Sequence, residues 1–239
     1  MAKKKKKRIK EDTKEAKPGE KSQKEVIKRE NKQLFWIILI IFLVFLTFFI
    51  INQIRVNRNY FEYGGANWTI EDYGNLRIYH GRFEVFTGKP VIYDIYLRND
   101  PRTNKVLVIG GYGDFKEHTY FSFSKEVNQC RGDIPRVVSD LSNFLEKAIG
   151  VDNVSPATNS RDYTNESTLE FVNCTSTDRG VVIFEMGEEQ SVMQSDENKF
   201  CHIITIKDCK DLATVEKYMT SIVSFNNQLL DIKASKKNN

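Results

Sequence analysis

From Leu34 to Ile51 every residue except Thr47 is strongly apolar. Eighteen such residues span about 27 Å as a helix at about 1.5 Å per residue, which matches the hydrocarbon core of a bilayer. No Gly, Pro or charge interrupts the run. It is apolar on every side, whereas a helix of a soluble core carries one apolar stripe. The pattern predicts a transmembrane helix over residues 34–56, with Ile54 and Val56 extending it. The next segment, Asn52 to Arg58, has no small-x-small cleavage pattern, so the helix reads as an uncleaved signal-anchor.

Beyond residue 57 the pattern changes period. Short apolar runs at Trp68–Ile70, Leu76–His80, Phe83–Phe86, Val91–Leu97, Val106–Ile109 and Thr119–Phe123 are punctuated by Gly81, Gly88-Lys89-Pro90, Asn99-Asp100-Pro101 and Gly110 to Gly113. They read as a meander of strands joined by turns. Val91, Tyr93, Ile95 and Leu97 alternate with Ile92, Asp94, Tyr96 and Arg98, as a half-buried strand requires. Ile134, Val137, Val138, Leu141, Phe144, Leu145, Ala148 and Ile149 then recur at helical spacing. Asp133 is placed to cap that helix and Gly150 to end it. Residues 151–167 are polar and read as a loop. Strands at Leu169–Cys174, Val181–Met186 and Phe200–Ile206 come next, with a short one near Ser191–Gln194. A second amphipathic helix runs from Asp211 to about Leu230. The expected fold class is α+β: one extracytoplasmic domain over residues 57–232, built on an antiparallel-rich sheet with two amphipathic helices, and a frayed end at 233–239.

Charge decides the orientation. Residues 1–33 hold 14 basic and 6 acidic side chains, a net +8, whereas the remainder is −4. The excess of Lys and Arg before the helix keeps that tail in the cytoplasm, and about 180 residues fall outside. The expected location is therefore the cell membrane, as a single-pass protein that contacts the bilayer through residues 34–56. The polybasic run Lys3–Lys10 suits anionic lipid head groups. A nucleic-acid partner is not expected, because such runs commonly serve topology alone.

Cys130, Cys174, Cys201 and Cys209 all lie beyond the helix. An even number confined to the exported part points to two disulfides in an oxidising compartment. Zinc competes, but no pair has the two-to-four-residue spacing of a zinc knuckle. One echo bears on connectivity: Thr119–Ser124 leads to Cys130 and a helix, and Cys201–Lys207 leads to Cys209 and a helix. If those two strands lie parallel and close, Cys130 meets Cys209 and Cys174 pairs with Cys201. Pairing Cys201 with Cys209 is disfavoured, since eight extended residues separate them by roughly 26 Å. Glycosylation sequons stand at Asn67, Asn153, Asn165 and Asn173. Asn67, Asn165 and Asn173 are the candidates, Pro156 making Asn153 the least suited.

Catalytic signals are thin. His80, His118 and His202 fit no HExxH, nucleophile-elbow or Cys–His protease spacing. A site of scattered residues would draw on His118 with Asp114 and Glu117. The Gly110-to-Asp114 loop lacks the helix and the Lys-Ser/Thr of a phosphate cradle and reads as a tight turn. Arg131-Gly132-Asp133 spells an adhesion tripeptide but also makes an ordinary helix entry. No cofactor, metal or catalytic residue is assigned. The exported tyrosines, Tyr60, Tyr73, Tyr93, Tyr96 and Tyr120 among them, suit strands and also suit a carbohydrate- or protein-binding face.

Ile95-Tyr96-Leu97-Arg98-Asn99-Asp100-Pro101-Arg102 resembles a stretch in uncharacterised single-pass membrane proteins of small-genome, nanosized archaea of the DPANN type. The similarity runs on through Ser122-Phe123-Ser124, Cys130, Cys201 and Cys209. It implies single-pass topology and archaeal origin, and carries over no activity and no site residue. The expected role is binding or assembly at the cell surface, with a surface or membrane protein as possible partner. The alternatives are a surface hydrolase or transferase and an accessory subunit of a membrane complex.

Overall fold

A computed structural model describes residues 18–85, 91–110, 113–164 and 168–237. The polybasic run Lys3–Lys10 and the sequon at Asn165 lie outside them. The chain divides into two units, Met1–Val56 and Asn57–Asn239.

Among the described residues, the first unit holds the greater part of helix α1, Pro18–Asn59. Its stretch Glu30–Ile54 is long and apolar enough to cross a membrane, and its side chains are solvent-facing rather than packed in a core. The hydroxyl of Thr47 donates to the carbonyls of Leu43 and Val44 at 3.0 and 2.8 Å. That bond removes the one polar group in the run from need of water.

The second unit is a mixed α+β domain with two sheets. The smaller sheet is antiparallel, in the order β1 (Tyr60–Tyr63), β2 (Ala66–Tyr73), β3 (Leu76–Glu84), β4 (Ile92–Leu97). Gly64 and Gly65, at φ of 62° and 75°, form the two-residue turn that joins β1 to β2. Left-handed φ at both positions matches the twist of the flanking strands. Gly81, read from the sequence as a turn, instead lies mid-strand opposite Trp68. A Cβ there would come within 2.7 Å of the indole ring. The glycine thus makes room for the largest inward side chain, and two expected strands become one.

The larger sheet has seven strands in the order β5 (Leu107–Ile109), β10 (Ser191–Gln194), β11 (Cys201–Ile206), β9 (Gly180–Met186), β6 (His118–Phe123), β7 (Asn153–Thr158), β8 (Glu170–Phe171). The antiparallel expectation is met by the small sheet and corrected in this one. Every neighbouring pair is parallel except β10 with β11. Parallel neighbours need crossover connections, and the chain between β6 and β7 supplies one. It comprises α2 (Lys125–Asn128) and α3 (Asp133–Phe144), which closes in a π-helical turn, Leu145–Ile149. Gly132 rather than Asp133 occupies the N-cap of α3, and Asp133 falls in the first turn. Gly150 ends the helix at φ 89°. A short helix α4, Arg161–Thr164, links β7 to β8. The last helix, α5, runs Ala213–Lys237, past the expected end near Leu230.

Helices α3 and α5 lie between the sheets in one core. Trp68, Phe83, Ile95 and Leu97 of the small sheet share it with Phe144, Tyr218 and Ile222 of the helices and with Val182, Phe184 and Ile204 of the large sheet. Val181, Ile183 and Cys201 point to the other face and pack under Val172 and Cys174. Burial on both faces explains the unbroken run Val181-Val182-Ile183-Phe184 in β9.

Candidate functional site

Disulfides lock two places in this frame. Cys130 is bonded to Cys209 at 2.06 Å and Cys174 to Cys201 at 2.11 Å. The first bridge ties the end of α2 to the turn before α5. The second fastens the β8–β9 connection over the outer core, where the Ser122 hydroxyl also donates to the Val172 carbonyl at 2.6 Å.

The Arg98–Arg102 turn is a structural joint. Glu216 of α5 is buried and accepts from the backbone N–H of Arg98 at 2.8 Å, that of Asn99 at 2.9 Å and the Asn99 amide at 2.7 Å. Burial pushes its carboxyl pKa up, against the pull of those three donors. Asp100 receives the Arg102 guanidinium at 2.9 and 2.7 Å, and that group also lies over the Phe61 ring at 3.8 Å. The Arg98–Arg102 turn therefore fastens the small sheet to the last helix.

The three histidines are scattered. His202 is fully buried on β11, shares a hydrogen bond through Nδ1 with the Tyr218 hydroxyl, and meets the Phe115 ring edge-on at 5.1 Å. Desolvation pushes its pKa down to about 4, so the ring is neutral. His118 and Glu117 are exposed and line an open cleft of about 660 Å³ with Tyr120, Asp178, Arg179 and Phe200. Asp114 is not among the residues lining it. The cleft sits at the N-terminal ends of β6, β9 and β11. Its cations rest on rings, Arg179 over Tyr120 at 5.0 Å and Lys116 over Phe200 at 4.3 Å.

His80 belongs to a more ordered arrangement on the outer face of the small sheet. Pairing places Tyr60, Thr69, His80 and Tyr96 in one row across the four strands. Glu62, Asn67, Arg82 and Asp94 form the next row. His80 contacts Glu71 through Nδ1 at 2.9 Å and Asp94 through Nε2 at 2.7 Å, and its ring stacks on Tyr96 at 4.5 Å. The Tyr73 hydroxyl and His80 lower the pKa of Glu71, and His80 and Arg82 lower that of Asp94. Tyr60 and Tyr96 stay more than half exposed.

Beside Tyr96, at the open edge of β4, a pocket of about 180 Å³ is lined by Tyr93, Asp94, Tyr96, Arg136, Asp140 and Asn143, with Ile95 and Met219. Arg136, Asp140 and Asn143 stand at i, i+4 and i+7 on α3 and so form one stripe of that helix. Burial, with the Asp140 charge added, pushes the Tyr93 phenol up to about 12. Sequence reasoning named the tyrosines but missed this pocket, because its polar half comes from the exposed side of a helix read only for its apolar stripe. A further cavity of about 470 Å³ lies at the C-terminal ends of β9 and β11, where Glu188 and Glu189 oppose Lys105 and Lys207.

Of the sequons, Asn67 is exposed within the second outer row. Asn173 accepts through Oδ1 from the Thr175 N–H at 3.1 Å and hydroxyl at 2.6 Å. Asn153 donates to the Ser155 hydroxyl at 3.3 Å.

No family model, curated protein or solved structure matches the chain.

Proposed function

We propose that the protein is a single-pass, membrane-anchored binding module whose disulfide-bonded α+β domain stands outside the cell. The observation that carries this reading is the pairing of all four cysteines in the unit beyond the apolar helix. Disulfides persist in oxidising compartments, and the polybasic N-terminal segment favours the opposite side of the bilayer. Binding is favoured over catalysis because the ordered polar and aromatic groups form an exposed face and an edge pocket. An accessory-subunit reading has one observation of its own. Leu107 and Ile109 of edge strand β5 and Met193 of β10 are exposed and share a sheet face.

Intact cells treated with a membrane-impermeant lysine reagent, followed by non-reducing digestion and mass spectrometry, test the reading. Labels on Lys105 and Lys210, with both disulfides recovered, are expected. Labels on Lys3–Lys7 with Lys105 protected would reverse the topology, and free thiols would remove its main support. Cross-links from Lys105 to one recurring membrane protein would favour the subunit reading.

A further inference from the structure

We propose that the pocket between the β4 edge and α3 binds an uncharged hexopyranose unit of a glycan. This rests on the reading of the domain as an exposed binding module and names its ligand class. The aromatic wall is Tyr96. One face of its ring is covered by the His80 ring at 4.5 Å with the two planes 20° apart. β4 is the last strand of its sheet, so the opposite ring face turns away from β3, towards the open edge where the pocket lies. A sugar ring presents polarised C–H groups on one side, and these suit the negative face of an aromatic ring.

The polar groups are of the planar, fork-shaped kinds that recognise hydroxyls. Asp94 accepts from His80 and from Arg82 through the same oxygen, Oδ1, at 2.7 and 3.0 Å. Oδ2 takes no part in those two bonds and can accept from a ligand hydroxyl. Asn143 donates through Nδ2 to the Ser139 carbonyl at 2.9 Å, a bond that orients the amide and leaves Oδ1 as an acceptor. Arg136 and Asp140, 3.6 Å apart on α3, add a donor and an acceptor. The wall is held before any ligand arrives, because His80 is fixed by Glu71 and Asp94. Ordering already present in the free protein lowers the entropic cost of binding.

Charge and size narrow the class. Asp94 and Asp140 stand against Arg136 within the pocket, and Asp94 is itself compensated by Arg82 outside it. An anionic sugar would meet two carboxylates, and a cationic peptide would find their charges already partnered. A volume of about 180 Å³ suits one ring rather than a chain, so a terminal or branching unit is the occupant.

The test uses the full chain in a zwitterionic detergent, since sugar-headed detergents would compete. Saturation-transfer NMR is run against the methyl glycosides of glucose, mannose, galactose and N-acetylglucosamine, with methyl glucuronide and a lysine tripeptide alongside. Transfer to at least one neutral glycoside is expected. Its affinity should fall at least tenfold in Tyr96→Ala and in Asn143→Ala, and stay unchanged in Arg77→Ala, which lies on the same sheet outside the pocket and pairs with Asp72. Asn143 is exposed on α3, so its variant keeps the test valid if Tyr96→Ala fails to fold. Transfer to none of the neutral sugars, preference for the glucuronide or the lysine peptide, or binding unaltered in both pocket variants would each overturn the proposal. Those outcomes leave the lysine-labelling result untouched, so failure here is separable from failure of the anchor reading.

Discussion

The two sheets of the domain grip the same pair of helices by different means. The seven-stranded sheet is buried on both faces over β9 and β11, is mostly parallel, and is tied at two points by disulfides. The four-stranded sheet buries one face, leaves the other to solvent, and is fastened at its end by the Glu216 joint. Rigidity and exposure are thereby divided between them. The large sheet supplies a frame, and the small one offers the ordered rows of His80, Tyr96 and Asp94 together with the edge pocket. The proposed ligand recognition, on a surface that is polar outside and locked inside, fits that division.

The largest expected effect comes from cutting the frame. Cys130 and Cys209 are 79 residues apart in sequence, and closing a loop of that length stabilises by about 4.5 kcal/mol in the chain-entropy account. Cys130→Ser with Cys209→Ser should lower stability by that order, whereas replacing Cys174 and Cys201, 27 residues apart, should cost about 1 kcal/mol less. Denaturant titration of the full chain, followed by near-ultraviolet circular dichroism, gives both values. Equal losses would mean that local packing, not loop closure, sets the contribution.

The joint between the small sheet and α5 comes next. Glu216→Ala leaves the Arg98 N–H, the Asn99 N–H and the Asn99 amide without their acceptor, and three part-buried hydrogen bonds at about 1 kcal/mol each cost about 3 kcal/mol. Hydrogen exchange should then quicken in β3 and β4 while β9 and β11 keep their protection. A uniform rise across both sheets would show that they unfold as one unit, and the contrast drawn between them would fall.

Acid separates the two regions by a smaller margin. Folding lowers the pKa of His202 from 6.5 to about 4, so the unfolded chain binds its proton first. Stability from this group is full above pH 6.5 and is lost as pH falls towards 4, by about 3 kcal/mol at most. His202→Gln should flatten that interval. Glu71 and Asp94 also have lowered values, so their contribution fades only as pH drops further, through the depressed carboxylate range. It is slight, because solvent screens exposed pairs. Retention of the full loss between pH 6.5 and 4 in His202→Gln would assign it to another group.

Several elements were legible because their signal is local. The apolar run at Leu34–Ile51, the period-two alternation through Val91–Leu97 and the 3.6-residue stripe of α3 each record what the segment itself must bury. The cysteine echo was legible as well, but its pairing hung on whether two distant strands ran parallel. Elsewhere the local signal misled. Gly81 looks like a turn until Trp68 lies across it. Residues 153–158 look like loop because of their polarity and Pro156, yet they pair with β6 along their length. β8 joins on the other side only from Ala157, so Pro156 stands where that ladder has not begun.

By itself the sequence determined the apolar helix, its charge asymmetry, the placement of every cysteine after it, and the mixed α+β character of the domain beyond residue 57. Each of these depends on the composition or period of one continuous segment. Only the tertiary structure decided that the large sheet is parallel, that His202 is buried beside Tyr218, that Glu216 seizes the Arg98–Asn99 turn, and that Tyr96 and Asp94 meet the outer stripe of α3 in a pocket. Those outcomes join residues tens of positions apart, and no short-range pattern encodes which surfaces will face each other once a shared core has formed.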